Sequence, residues 1–196
     1  MARMALLISG LALFFLVHFL PSLPAVRGPL VAKLGFGPYR AVFSVVSITA
    51  LVLIVWGYGE MQGLARANPQ LWVPPPWAKH VVLLLMIPAM ILLVAAYVPS
   101  RIRTAVGHPM LTALMIWAFA HLLVNGDLAS ILLFGSFLAY AVYDRISVTA
   151  RASPGPLGNA KGGSLQDALA VAGGLALYAV LLFWGHAQLT GVALLP

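Results

Sequence analysis

The chain has 196 residues, of which 62% are hydrophobic and only 8% charged, with a formal net charge of +7 and no cysteine. Soluble domains carry roughly 25% charged residues, so this composition excludes a soluble core and points to an integral membrane protein. The basic residues stand singly between apolar runs, which excludes a nucleic-acid partner, and the missing cysteines exclude disulfides, iron–sulfur clusters and thiolate chemistry.

A helix crosses a bilayer with about 20 mostly apolar residues. Six segments qualify: 4–20, 41–58, 80–98, 109–125, 128–143 and 166–187. They predict an all-α, polytopic helix bundle with six transmembrane helices in a single membrane domain, residues 1–196. Pro21 and Pro24 end the first run, since proline lacks an N–H and clashes with the preceding turn. The same run, with Arg3 before it and small residues around Ser22 and Ala25, also has the outline of a signal peptide. Cleavage would leave five spans and invert the orientation; His18 inside the run fits a retained span better. Gly37-Pro38 opens the second span and Pro74-Pro75-Pro76 precedes the third.

Only Asn125-Gly126-Asp127 separates the fourth span from the fifth, which predicts a tight antiparallel hairpin. Gly126 is expected to take the left-handed conformation that ends a helix, and Asp127 to cap the next one. Residues 153–164 (SPGPLGNAKGGS) read as a flexible polar link before the sixth span. Tyr39, Trp72, Trp77, Tyr97 and Trp184 fall near span ends, where an amphipathic ring suits the headgroup layer. The Gly173-Gly174 pair permits close helix approach, within or between chains; the sequence fixes no oligomeric state.

Charge sets the orientation. Arg3, Arg66 and Lys79 flank one side of the six spans; Arg27, Lys33, Arg40, Arg101, Arg103, Arg145, Arg151 and Lys161 flank the other. The positive-inside rule puts the second set in the cytoplasm. Both termini then face the periplasm of a bacterial inner membrane.

Ionisable groups inside a span are costly and are functional candidates by default. His80 and His186 sit at span edges, where headgroups or carbonyls satisfy an imidazole; Asp144-Arg145 reads as a solvated span end, and Asp167 as part of a helix N-terminus. His18 and His121 resist that reading, because Phe14-Phe15-Leu16-Val17 and Trp117-Ala118-Phe119-Ala120 precede them. A buried neutral imidazole ligates haem iron through one nitrogen while the other donates to a carbonyl. Two such rings on different helices suit a b-type haem. Depth is the rival guide: His121 lies 13 residues beyond His108, about 20 Å along the helix. It pairs His18 with His108, at the cytoplasmic side. His108 and His121 also point about 140° apart on an ideal helix, which gives them different roles.

Four strings carry a resemblance: HFLPSLPAVRGPLVAKLGFGPYRAVFSVVSI (18–48), LWVPPPW (71–77), RIRTAVGHPM (101–110) and AHLLVNGDLASILLFGSFLAYAVYDR (120–145). The chain resembles the NnrU membrane-protein family over about residues 4–148, with a weak match over the last fifty. The resemblance implies a link to bacterial denitrification, around nitrite and nitric oxide reductase expression. The family is similar to plant zeta-carotene isomerase, a membrane enzyme that uses haem b to isomerise a cis double bond. That similarity implies His18 and His121 as axial ligands and places His108 in a shared His-Pro motif. It puts Ala118 where the isomerase has a cysteine three residues before its second ligand, so a switch to thiolate is absent. The His-Pro segment is also weakly similar to isoprenylcysteine-type methyltransferases. Arg40, Arg101 and Arg103, on the cytoplasmic face, are candidates for the haem propionates, since arginine pairs carboxylates bidentately. Asn125, four residues after His121, joins the candidate site.

Three functions compete. The first is a haem b protein of the bilayer that handles nitric oxide or isomerises a lipid-soluble substrate. The second is a non-enzymatic accessory factor for the reductases. The third, a transporter, lacks the mid-span charges and inverted repeat such proteins use.

Overall fold

The computed structural model describes residues 2–63, 67–153, 157–158 and 160–195; Arg66 lies outside them. Among the described residues every regular element is helical, and the nearest approach to a strand is one isolated bridge between Gln70 and Asp127. Five helical stretches are long and apolar enough to cross a membrane: Arg3–Ser22, Phe36–Gln62, Ala78–Ala95, Leu128–Ala150 and Ser164–Thr190. The fourth expected span, Pro109–Val124, is apolar but only 16 residues long. At 1.5 Å per residue it reaches about 24 Å, short of a hydrocarbon core of about 30 Å.

The elements are α1 (Ala2–Phe19), α2 (Pro24–Leu34), α3 (Phe36–Gln62), α4 (Ala78–Ala95), α5 (Arg101–Val106), α6 (Pro109–Val124), α7 (Leu128–Ala150), α8 (Ser164–Val180) and α9 (His186–Thr190). A 3-10 turn, Leu20–Ser22, follows α1, and a π-helical turn, Leu181–Gly185, carries α8 into α9. Two short helices go beyond the expected spans. In α2, Pro24 sits at the first helical turn, where its missing N–H costs nothing, instead of breaking the chain. The other, α5, runs from the N-cap Ser100, whose Oγ accepts from the Arg103 N–H at 3.1 Å, to Gly107 at φ 78°. Only a residue without Cβ adopts that φ readily.

The chain divides into two compact units: residues 1–73 with 126–136, and residues 74–125 with 137–196. In the first, α1 and α3 run antiparallel, with Arg3 and Glu60 paired at 3.0 Å across their ends. Glycines let the two backbones meet. A Cβ on Gly10 would lie 2.8 Å from the Ile54 nitrogen, and one on Gly57 would lie 2.8 Å from the Leu7 Cα. Without a hydrophobic drive between helices in lipid, such close backbone packing is what holds them together. The outward side chains of α3, among them Val45, Ile48, Val52 and Val55, are exposed, as a lipid-facing surface requires.

In the second unit α4 packs against both α6 and α8. The Gly173-Gly174 pair makes its close approach within the chain: a Cβ on Gly174 would meet the Ile91 backbone. Buried alanines, Ala89 and Ala95 on α4 and Ala113, Ala118 and Ala120 on α6, serve the same end. Trp117 of α6 meets Phe137 of α7 edge to face at 5.9 Å. At the other end of α6, His108 and Pro109 share a cavity with Asp144 and Val148 of α7. That order makes α6 and this part of α7 antiparallel, as the expected hairpin requires.

Three expectations need correction. Gly126 does not have a left-handed φ; it is small because the Trp72 backbone packs where its Cβ would stand. Asp144-Arg145 is not a solvated span end, because α7 continues to Ala150 and Asp144 pairs with Arg151 at 3.3 Å. Tyr39 is buried, not at a headgroup belt, while Trp77 and Tyr97 do flank α4 in exposed positions. The polar link before α8 is also held in its described part: Arg103 Nη1 and Nη2 donate to the carbonyls of Ala160 and Gly158 at 3.0 and 2.6 Å. Residues 154–156 and 159 of that link lie outside the described residues.

Candidate functional site

His18 is the penultimate residue of α1. Its Nδ1 donates to the Phe14 carbonyl one turn back, at 2.7 Å. The ring stacks on Phe14, centroids 3.8 Å apart, and lies 5.1 Å from Phe43 of α3. Tyr39, one turn before Phe43, is buried with its ring under the Arg27 guanidinium at 5.7 Å. Its hydroxyl is fully enclosed and has no hydrogen-bond partner among the described residues. Such orphaned groups are rare in folded proteins, because a lost hydrogen bond is not compensated by water.

His121, in the last turn of α6, repeats the arrangement in the second unit. Its Nδ1 donates to the Trp117 carbonyl at 2.8 Å, and the Trp117 ring is 5.1 Å away. Asn125 caps this helix end, with both its backbone N–H and its Nδ2 donating to the His121 carbonyl at 3.0 and 2.8 Å. Both rings thus have the same chemistry. With Nδ1–H given to a carbonyl, a neutral imidazole carries its lone pair on Nε2. Ala118, at the position noted for its missing thiol, is completely buried.

His108 is different. It is the N-cap of α6, its ring makes no hydrogen bond among the described residues, and it lines a cavity of about 310 Å³ with Arg103, Asp144, Met110, Leu111 and Val148. Burial, and then the Arg145 charge, hold the His108 ring below its ordinary value, with Arg103 and Arg151 adding to the effect and Asp144 opposing it. His80 is exposed in the first turn of α4. His186 donates from Nδ1 to the Val192 carbonyl at 2.8 Å and closes the chain's last turn.

The arginines separate as well. Arg101 is committed to Asp167, through Nε at 2.5 Å and its backbone N–H at 2.7 Å, so Asp167 of α8 also caps α5. Arg103 is committed to the two link carbonyls. Arg40 is exposed, lies over the Phe36 ring at 5.6 Å and makes no ion pair among the described residues. Among the described residues no three of His, Asp or Glu gather as a multi-ligand metal cage needs.

A polar cluster that sequence reasoning did not anticipate surrounds Asp127. Its carboxylate accepts from the Ser130 N–H at 3.0 Å and the Ser130 Oγ at 2.6 Å, so it caps α7 as expected. Asn68 Nδ2 and Gln62 Nε2 also donate to it, at 2.8 and 3.2 Å, and the Tyr58 hydroxyl meets Ser130 Oγ at 2.9 Å. Asn68 Oδ1 and the Pro69 carbonyl take the Ala129 and Leu128 N–H groups, so the first turn of α7 is fully satisfied. Burial alone would raise the Asp127 carboxyl, but the hydrogen bonds from Ser130, Asn68 and Gln62 outweigh it and hold it below the usual value. A depressed folded value gives stability that is complete above the ordinary carboxylate range and is lost as pH falls through the folded value. Asp127→Ala is expected to cost about 1–2 kcal/mol at neutral pH. Melting temperatures in detergent should show the gap between wild type and variant closing in acid; a gap independent of pH contradicts this.

The two imidazoles with matched tautomers, carried by an all-helical membrane chain, are the setting for the comparison with known families. A model of the NnrU protein family matches residues 6–194. The chain belongs to the NnrU family. The match extends through α8 and α9, so the last fifty residues, expected to match weakly, are part of the NnrU architecture as well. No curated protein and no solved structure matches the chain. The family match covers the candidate residues from His18 to His186.

Proposed function

We propose that this NnrU protein is a haem b-binding protein of the bacterial inner membrane that serves denitrification, by handling nitric oxide or supporting nitrite and nitric oxide reductase expression. One observation carries the reading: His18 and His121 each hold Nδ1–H on a carbonyl one turn back, at 2.7 and 2.8 Å, which directs the lone pair to Nε2. His108 has no such carbonyl, which favours His121 over His108 as second ligand. The residues fit the group in a second respect. The enclosed Tyr39 hydroxyl, in the aromatic surround of His18, lacks the acceptor that a cofactor's polar edge would provide. Haem b supplies an iron that binds diatomic ligands or exchanges one electron. The chain's own part would be to orient the His18 ring with Phe14 and Phe43, and the His121 ring with Trp117. Of the three candidate arginines, Arg40 is the one without an ion pair among the described residues, while Arg101 and Arg103 are engaged elsewhere.

All six expected spans cross in this reading, with the 16-residue α6 completed by its flanks and both termini in the periplasm. Titration of purified protein with haemin should saturate at one haem per chain. A deletion strain should lose reductase activity under nitrate respiration and recover it with wild type but not with His18→Ala. Unsaturable haemin uptake, together with normal reductase activity in the deletion strain, contradicts the proposal.

A further inference from the structure

The cavity at the start of α6 is not needed by that reading and has its own chemistry. Its volume, about 310 Å³, lies at the lower end of the roughly 300–1,000 Å³ typical of ligand pockets. Its lining combines apolar side chains, Met110, Leu111 and Val148, with polar ones, His108, Arg103 and Asp144. The charges around it are unequal. Arg103, Arg145 and Arg151 act on His108 against Asp144 alone, and Asp144 is already paired with Arg151.

The polar part of the lining is built, not incidental. Arg145 Nη2 donates to the Val106 carbonyl at 3.2 Å and packs against Gly107, whose φ of 78° turns the chain from α5 into α6. That corner sets His108 in the cavity wall. Three of the five histidines, His18, His121 and His186, give Nδ1 to a carbonyl; His108 gives neither ring nitrogen to any described residue. A ring held in a positively biased, half-apolar cavity with both nitrogens uncommitted is arranged for a ligand.

We infer that this cavity binds a small anionic amphiphile, with its carboxylate or phosphate head at His108, in the positive surround of Arg103, Arg145 and Arg151, and a short apolar tail along Met110, Leu111 and Val148. The net positive surround excludes a cationic head, and the polar part of the lining disfavours a plain hydrocarbon. The inference does not rest on haem. Its residues are other than His18 and His121, so haem content measured on the same preparations separates failure of one reading from failure of the other.

The test is calorimetry on the full chain in a neutral detergent, with decanoate, decyl phosphate, decanol and decyltrimethylammonium as probes. Both anions should bind saturably and at least about tenfold more tightly than decanol, with no binding of the ammonium. His108→Phe, which fills the cavity, should abolish binding and leave haem content unchanged, while His108→Gln should retain part of it. Displacement of decanoate by phosphatidylglycerol assigns a lipid source, and displacement by inorganic phosphate a soluble one; displacement by neither overturns the anion assignment. Equal binding of decanol, unchanged affinity in His108→Phe, or loss of haem in that variant would also overturn it. If His108→Phe fails to fold, a photoreactive decanoate on wild type gives the same decision: label at the start of α6 and in α7 supports the site, and label elsewhere refutes it.

Discussion

Gly57→Leu should abolish recovery of folded protein, whereas Gly59→Leu, two residues along the same helix, should be tolerated. A Cβ at position 57 would stand against the Leu7 and Leu6 backbone, and one at Gly59 meets nothing within 4 Å. Backbone cannot swing aside as a side chain does, so α1 and α3 would have to separate, exposing Leu7 and Ile54, both buried. Overpacking a core typically costs about 1–3 kcal/mol, and separation of a helix pair that relies on close approach costs more. Gly174→Leu, facing the Ile91 backbone, should fail in the same way for α4 and α8. Neighbouring Gly173 meets only the two Val94 methyls, at 3.2 and 3.9 Å, so Gly173→Ala should be mild. Yield of monodisperse protein in mild detergent and its melting temperature decide the matter. Equal behaviour of the Gly57 and Gly59 variants would contradict the packing described.

Arg103→Leu should be the most damaging substitution among the arginines. Arg103 is only 6% exposed, and its guanidinium holds the Ala160 and Gly158 carbonyls. Hydrogen bonds to charged groups contribute about 1.5–3 kcal/mol each, and leucine leaves both carbonyls without a donor. Beside them a Cβ on Gly162 would overlap the Pro99 carbonyl, so the link lies directly on the segment leading into α5. The expected loss is about 3 kcal/mol in stability, with faster proteolytic cleavage within residues 153–164. Arg103→Lys should rescue little, since one ammonium cannot reproduce a planar fork. Arg101→Gln removes an exposed pair with Asp167 and should change melting far less. Equal effects at positions 101 and 103 would contradict this division.

Hydropathy made the long helices legible, because an apolar run of membrane length has few other folded uses. The short helices were missed for a local reason. The first run does end ahead of Pro24, as expected, but Pro24 also starts α2, and Ser100 with Gly107 form an N-cap and a C-terminal glycine around a six-residue helix too short to show a period. Arg103 was read through its charge, as a topology signal or a propionate partner. Its actual partners are backbone carbonyls 55 and 57 residues away, which no sequence pattern encodes. Gly10 and Gly57 gave no signal either, since a lone glycine in an apolar run looks the same whether or not a neighbour's backbone lies against it. The Asp127 cap was readable, whereas its neighbours Gln62 and Asn68 were not, because they reach it from the end of α3 and the segment after it, about sixty residues away. His18 and His121 stood out as imidazoles among aromatics, and their carbonyl partners one turn back follow from helix geometry.

The measurement that bears most directly on the account is the absorption spectrum, oxidised and dithionite-reduced, of protein purified in mild detergent after haem supplementation. Wild type should be run beside His18→Ala, His121→Ala, His108→Ala and His80→Ala. The account predicts a b-type spectrum in wild type, His108→Ala and His80→Ala, and its loss in His18→Ala and His121→Ala. Loss in His108→Ala with retention in His121→Ala would move the second ligand to the start of α6. A featureless spectrum in folded wild-type protein would contradict haem binding outright and leave His18 and His121 as structural residues of an NnrU membrane bundle.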